Sequence, residues 1–323
     1  MRVNTVCGPI DAGKLGRTLM HEHFIFGYPG FAGDVTLAAP EESLFKTALG
    51  YAKTLKAQGI DTVIDATPND CGRDPLFLRR LSEESGVQII CSTGYYFAGL
   101  GATGYFTFRK EVGYDIVEEI AEMMITEIEK GIAKTGIRPG VIKLASSENE
   151  ITGYEECFFK AAAKAQQATG VVIITHTEAG TMGPQQAQLL IEEGAAPGRI
   201  AIGHMCGNQD IDYHLAVLQQ GVYDAFDRFD EENIFASPTD EQRAALMERL
   251  MDKGYEDRLL MSQDAVCTYW GRPVAFRGEL EPEANIIITR MMDDVVPMLL
   301  RRGWNHAMVN GIMIDNVRRL FAE

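Results

Sequence analysis

GVIKLAS, residues 140–146, sets one lysine in the middle of a run of apolar and small residues that reads as a buried strand. An ammonium group taken out of water without a partner costs several kcal/mol, a large share of a domain's net stability. Lys143 must therefore lose its proton, reach solvent or be neutralised. Which of these applies depends on what the neighbouring segments place beside it.

Seven other segments share the Val/Ile-rich character of this one: GRTLMHEHF (16–24), GIDTVIDATP (59–68), VQIICSTGYY (87–96), VVIITHTE (171–178), RIAIGHMC (199–206), VYDAFDRF (222–229) and RLLMSQDAV (258–266). Between them lie EESLFKTALGYAKTLKAQG (41–59), VEEIAEMMITEIEKGIAKTG (117–136), EECFFKAAAKAQQATG (155–170) and EQRAALMERLMDKG (241–254). These combine good helix formers, an apolar stripe at three-to-four spacing and a glycine stop. Strands alternating with helices imply parallel pairing, and buried parallel strands read as continuous apolar runs, as these do. Eight such units in succession predict an α/β protein of the (β/α)8 barrel type. The alternative is an open doubly wound sheet, but no G-x-G-x-x-G follows the first strand, and GLGATGYF (99–106) opens no helical pattern after the third. No linker or low-complexity tract divides the chain, so residues 1–323 are expected to form a single barrel domain.

Thirty basic against forty-six acidic side chains give a formal charge of −16, which repels nucleic acid phosphates and anionic lipid surfaces. The opening MRVNTVCGPIDAGKLG lacks a signal-peptide core, and no run approaches the ~18 apolar residues of a membrane span. A cytoplasmic protein with no nucleic-acid or membrane partner is expected. Six cysteines without any C-x-x-C spacing indicate reduced thiols rather than a zinc knuckle or a disulfide framework.

In barrel enzymes the active site forms at the C-terminal ends of the strands, so polar residues that end an apolar run are the informative ones. Five of the eight segments qualify. The first ends in His21-Glu22-His23, where period-two alternation sends both imidazoles into the barrel and the glutamate the other way. Lys143, His176, His204 and Asp264 end four others. Singly, His176 or His204 reads as a hydrogen-bonded core residue, Lys143 as a snorkelling side chain and Asp264 as a helix N-cap. Four histidines, a lysine and an aspartate converging on one barrel mouth point instead to a metal centre. His214 and His306 fall in helical patterns and read as surface or packing residues.

The order H-x-H, Lys, His, His, Asp on successive strands resembles the phosphotriesterase-like branch of the amidohydrolase superfamily. GPIDAGKLGRTLMHEH, ATPNDCGR, GVIKLASS, IITHTEAGTMGPQQ and GHMCGNQD carry the likeness along essentially the whole chain. FGYPGFAGD, TGYYFAG and AFDRF are most similar to bacterial lactonases that open N-acyl homoserine lactones and other γ- and δ-lactones. The resemblance implies that Lys143 reacts with carbon dioxide to a carbamate, turning a cation into an anionic bridge between two divalent metals. It implies that His21, His23 and Asp264 hold the more buried metal and that His176 and His204 hold the more exposed one. A metal-bridging hydroxide would then attack the lactone carbonyl while Asp264 shuttles the proton. Nitrogen and oxygen ligands suit zinc, with iron, cobalt or manganese as alternatives. The same likeness implies Tyr96 over the substrate, Arg228 orienting Tyr96 or the loop above it, Trp270 as a wall for an acyl chain, promiscuous organophosphate hydrolysis and a homodimer.

Some positions depart from the family pattern. Gln263 in SQDA stands where many relatives have histidine, and Cys206-Gly207 stand where phosphotriesterases carry an acidic proton shuttle. FDEENIF (229–235) is more acidic than expected, and EPEANIIITRMM (281–292) lacks a Trp-His pair. Alternatives are a dedicated phosphotriesterase, a phospho-sugar lactone hydrolase using Arg73, Arg109 and Arg272 at the mouth, or a non-catalytic ligand-binding relative.

Overall fold

Each of the eight Val/Ile-rich segments contains one strand of a single parallel sheet. The computed structural model describes residues 1–36, 40–101, 103–232, 237–272 and 287–322. Residues 233–235 of FDEENIF and 281–286 of EPEANIIITRMM lie outside the described residues. An N-terminal antiparallel hairpin, β1 (Arg2–Thr5) with β2 (Gly8–Asp11), comes first. The sheet follows as β3 (Thr18–Glu22), β4 (Thr62–Asp65), β5 (Gln88–Gly94), β6 (Val141–Lys143), β7 (Val172–Ile174), β8 (Ile200–Ile202), β9 (Tyr223–Phe226) and β10 (Leu259–Met261). The strands lie in sequence order, each parallel to the next. Past β10 the chain meets β3 through the Asp264 N–H to the His21 carbonyl (3.0 Å) and a parallel bridge from His23 to Val266, which brings the sheet's two edges together as a (β/α)8 barrel.

Helices α1 (Glu41–Ala57), α2 (Pro75–Ser85), α3 (Gly104–Glu111), α4 (Ile116–Lys130), α5 (Gly153–Thr169), α6 (Gly183–Glu192), α7 (Ile211–Leu218) and α8 (Asp240–Met251) surround it, followed by three short C-terminal helices. The starts of α5 and α8 are fixed by capping boxes, Thr152 with Glu155 and Thr239 with Gln242. Helix α3 corrects the reading of GLGATGYF as opening no helix. Its only buried residue is Phe106, so it presents no apolar stripe for periodicity to detect.

Alternation along the strands separates two cores. On β6, Val141 joins the barrel-interior cluster while Ile142 packs under the helices. Lys143, one residue further, faces inward and is 1% exposed. On β9, Tyr223 and Ala225 face inward, and Asp224 faces α7, where it meets His214 Nδ1 at 2.6 Å. His214 is thus a packing residue, as its helical pattern indicated, and His306 lies exposed at the start of a short helix. Close strand approach near Lys143 requires glycine at position 94, where φ is +133° and a Cβ would stand 1.8 Å from the Lys143 carbonyl oxygen. Gly94→Ala is expected to lower the thermal midpoint by about 10 °C or more, or to leave no folded protein. A calorimetric midpoint within about 2 °C of the wild-type value would contradict this packing.

Candidate metal centre

A cavity of about 170 Å³ opens where the strands end, and His21, His23, Tyr96, Lys143, His176, Arg228 and Asp264 all line it. His204 stands just behind, its ring centroid 4.5 Å from that of His176 and 4.6 Å from that of His21. The structure therefore gathers every residue that the strand-end argument singled out. Side-chain donor atoms of His21, His23 and Asp264 lie within 4.8 Å of one another, and so do those of His21, His204 and Asp227.

The hydrogen bonds behind the imidazoles decide which ring nitrogens face inward. Asp227, 1% exposed, meets His21 Nδ1 at 3.0 Å and His204 Nδ1 at 2.9 Å, and it also accepts the His204 backbone N–H at 2.7 Å. An ionised carboxylate only accepts, so both Nδ1 atoms carry the proton and both Nε2 atoms present lone pairs. Thr67 Oγ1 lies 2.8 Å from His23 Nδ1 and donates its own hydrogen to the Ile25 carbonyl, which gives His23 the same tautomer. His176 is turned the other way, with Nε2 bonded to Glu178 Oε2 at 2.8 Å, leaving Nδ1 as its acceptor.

The inward atoms fit a cation. His204 Nε2 is buried and has no hydrogen-bond partner among the described residues. His23 Nε2 lies 3.1 Å from Asp264 Oδ1, and His21 Nε2 and His204 Nε2 each lie 3.5 Å from an Asp264 oxygen. Lone pairs facing a carboxylate at these distances call for a positive centre among them, a proton or a metal ion. Burial holds His176 down to about 4 and also lowers His21 and His204, so these rings are in the neutral form that ligates metals.

Lys143 Nζ donates to His21 Nε2 at 2.8 Å and lies 3.4 Å from the Thr175 carbonyl. Burial lowers its pKa to about 8, against the opposing pull of the Asp264 and Asp227 charges. Of the three fates open to a buried lysine, reaching solvent is excluded by its position. At Asp264, burial raises the pKa, but the His23 hydrogen bond and the Arg228 guanidinium oppose it, and the carboxyl is held well below its usual range.

Arg228 takes neither of the partners nearest in sequence. Its Nε lies 3.4 Å from Asp264 Oδ2 and 3.3 Å from Glu231 Oε2, whereas Asp227 serves the histidines and Asp230 pairs with Arg290. Trp270 does not line the cavity. It stacks on Phe31 and donates to the Gly72 carbonyl at 2.9 Å, and Tyr269 lines the cavity in its place. Arg73, Arg109 and Arg272 are engaged by Glu127, Glu119 and Asp34 and do not line it either. Sequence reasoning missed Asp227 and Glu178. The one signal for Asp227 was its continuation of the inward alternation of Tyr223 and Ala225.

A ring of imidazoles and carboxylates at the C-terminal mouth of a (β/α)8 barrel defines a metal-dependent hydrolase. The phosphotriesterase family model matches residues 1–321, and the chain belongs to that family, whose members are binuclear metal enzymes. It is 33% identical to a phosphotriesterase homology protein of Mycobacterium tuberculosis, over 99% of this chain and 97% of that one. It is 30% identical to an aryldialkylphosphatase of Saccharolobus solfataricus, over 97% of each. Its structure matches the organophosphorus hydrolase of Deinococcus radiodurans with a TM-score of 0.96 at 50% identity, covering 99% of this chain and 97% of that one. It matches equally, at 49% identity over 99% and 100% of the two chains, a structure from the molecular engineering of organophosphate hydrolysis activity from a weak promiscuous lactonase template.

Asp227→Asn leaves only one carbonyl oxygen for two imidazole donors, so one ring loses its tautomer. Metal affinity is expected to fall about 10–100-fold, measured by competition against a chelator, and an unchanged affinity would contradict this role for Asp227.

Proposed function

We propose that residues 1–323 act as one barrel domain, a binuclear-metal hydrolase that opens N-acyl homoserine lactones and other γ- and δ-lactones, with organophosphate hydrolysis as a side activity. The observation that carries this reading is the inward set of lone pairs, with the orphaned His204 Nε2 among them, around a buried lysine. In it His21, His23 and Asp264 hold one divalent ion, zinc before iron, cobalt or manganese, and His176 and His204 hold a second. Lys143, carboxylated on Nζ, joins them as an anionic ligand. Its neutral amine adds to carbon dioxide, the N–C bond forms and one proton leaves, which turns a costly buried cation into a neutralising group.

When bound, the two metals supply an activated water and polarise the bond under attack. The protein's own groups do the rest. Asp264, kept anionic with Arg228 beside it, takes the proton of the attacking water and returns it to the leaving alkoxide. Tyr96 lines the cavity, and burial keeps its phenol well above the usual range, so it serves as a hydrogen-bond donor to the carbonyl or ring oxygen. Phe26, Tyr28 and Tyr269 give the cavity an aromatic wall for the substrate's apolar part.

Among the described residues Arg73, Arg109 and Arg272 do not line the cavity, and Arg228, which does, is held by Asp264 and Glu231, which favours uncharged lactones. Tyr105, Phe108, Val112 and Tyr114 leave an exposed apolar face on and after α3, which supports a homodimer. A charge of −16 speaks against a nucleic-acid partner. No described helix is long and apolar enough to cross a membrane, and a cytoplasmic location remains part of the proposal.

The test is acid release from a chain-length panel of lactones and a phosphotriester. Metal-loaded wild type should open lactones, and Asp264→Asn and Lys143→Ala should each lose at least about 100-fold in turnover. Binding of a lactone without acid release would show a non-catalytic relative and defeat the proposal. A second outcome follows from Lys143. Its folded pKa of about 8 lies below the 10.5 of a free lysine, so the reactive neutral amine predominates from about pH 8 upward and disappears below it. Reactivation of metal-free protein by bicarbonate and divalent ions should rise with pH through a midpoint near 8 and level off about one unit above it. A rise that continues towards 10 would show an amine unperturbed by its surroundings.

A further inference from the structure

Glu22 faces away from the two histidines beside it, as strand alternation requires, and its side chain is 0% exposed. It lies at the seam where the chain leaving β10 meets β3. Three consecutive N–H groups cross this seam. That of Asp264 donates to the His21 carbonyl at 3.0 Å. The two flanking it donate instead to a side chain: Gln263 N–H to Glu22 Oε1 at 3.0 Å and Ala265 N–H to Glu22 Oε2 at 2.8 Å. Ser262 Oγ donates to Oε1 at 2.7 Å while accepting the His21 N–H at 3.0 Å, so the same carboxylate is tied to both sides of the seam. Between its two anchored neighbours, Asp264 takes φ = 55°, a left-handed backbone that is uncommon for residues other than glycine, though aspartate tolerates it better than most.

We infer that Glu22 is a positioning residue for the metal centre: its carboxylate stands in for strand acceptors on either side of Asp264 and holds that residue aimed at His21, His23 and His204. The inference rests on the proposed role of Asp264. Burial pushes the Glu22 pKa well above its ordinary value while the Ser262, Ala265 and Gln263 hydrogen bonds pull it down, and it is as a carboxylate that both oxygens are free to accept from these three converging donors. In the isosteric amide one terminal atom becomes an NH2 that confronts a backbone N–H or the Ser262 hydroxyl. Released from its clamp, Asp264 relaxes towards an ordinary backbone and its carboxylate withdraws from the histidines. Aspartate would be a methylene too short to reach both N–H groups.

The experiment compares full-length wild type, Glu22→Gln and Ser262→Ala. Each is titrated with Co2+ in bicarbonate, and the visible absorption of the bound ion and lactone turnover at saturating metal are read together. For E22Q, Co2+ affinity is expected to fall about 10–100-fold, the usual loss when a group supporting a ligand is removed, with an altered absorption band. At saturating metal its kcat should fall about ten-fold or more with KM changed less than about two-fold, the pattern of a misplaced catalytic group rather than lost substrate binding. S262A keeps both backbone donors and should shift in the same direction by a smaller factor. A lower melting temperature for E22Q with wild-type band, affinity and kcat would overturn the inference and leave Glu22 a purely structural residue. If E22Q yields no folded protein, S262A decides by the same readouts, and a wild-type band and kcat there would overturn it. Wild type that binds Co2+ but opens no lactone defeats the substrate proposal alone, and Glu22 is then judged on band and affinity.

Discussion

Everything at this barrel mouth is organised around an amine buried at the floor of the cavity, out of bulk water. Lys143 follows two residues of apolar strand and ends against His21, with a 1% exposed side chain. Burial alone would favour the neutral amine, but a neutral amine among imidazole lone pairs leaves Asp264 with Arg228 as its counter-charge and gives Asp227 none from the lysine. Divalent cations answer both problems at once, since they take up the lone pairs and balance the carboxylates. On this view the polar residues of the interior are a single electrostatic unit, and removing one changes the state of the others.

Behind that unit stands a layer of acceptors that gives each ligand its orientation. Asp227 serves two histidines from β9, Thr67 serves a third from the loop after β4, Glu178 serves the fourth, and Glu22 spans the seam beside Asp264. Side chains from five strands can present their donor atoms to one point only if each is held to one rotamer and one tautomer, and these contacts supply that constraint. Several sit on elements far apart in the chain but adjacent in the sheet. Parallel pairing in sequence order is what turns them into neighbours.

The fold was legible because buried parallel strands are long apolar runs and their helices carry a regular stripe. Helix α3 escaped because only Phe106 is buried while Tyr105 and Phe108 face outward, leaving periodicity nothing to register. The convergence of these side chains was legible for a geometric reason: in a parallel barrel the ends of all strands open on one face, so polar residues ending apolar runs must converge. What sequence could not give was pairing across the sheet. Asp227 reads as a partner for adjacent Arg228 until β3 and β8 are set beside it. Arg73 reads as a mouth residue until Glu127, from α4, claims it. Trp270 and Tyr269 lie past the end of β10, where strict alternation no longer says which side chain faces the cavity.

The most direct test of the central claim is an anomalous-scattering crystal structure of protein reconstituted with a divalent transition metal in bicarbonate. The account predicts two metal peaks at the barrel mouth, one among His21, His23 and Asp264 and one beside His176 and His204. A planar three-atom group should extend from Lys143 Nζ to both. A bare amine at that position, or no more than one peak, would contradict it.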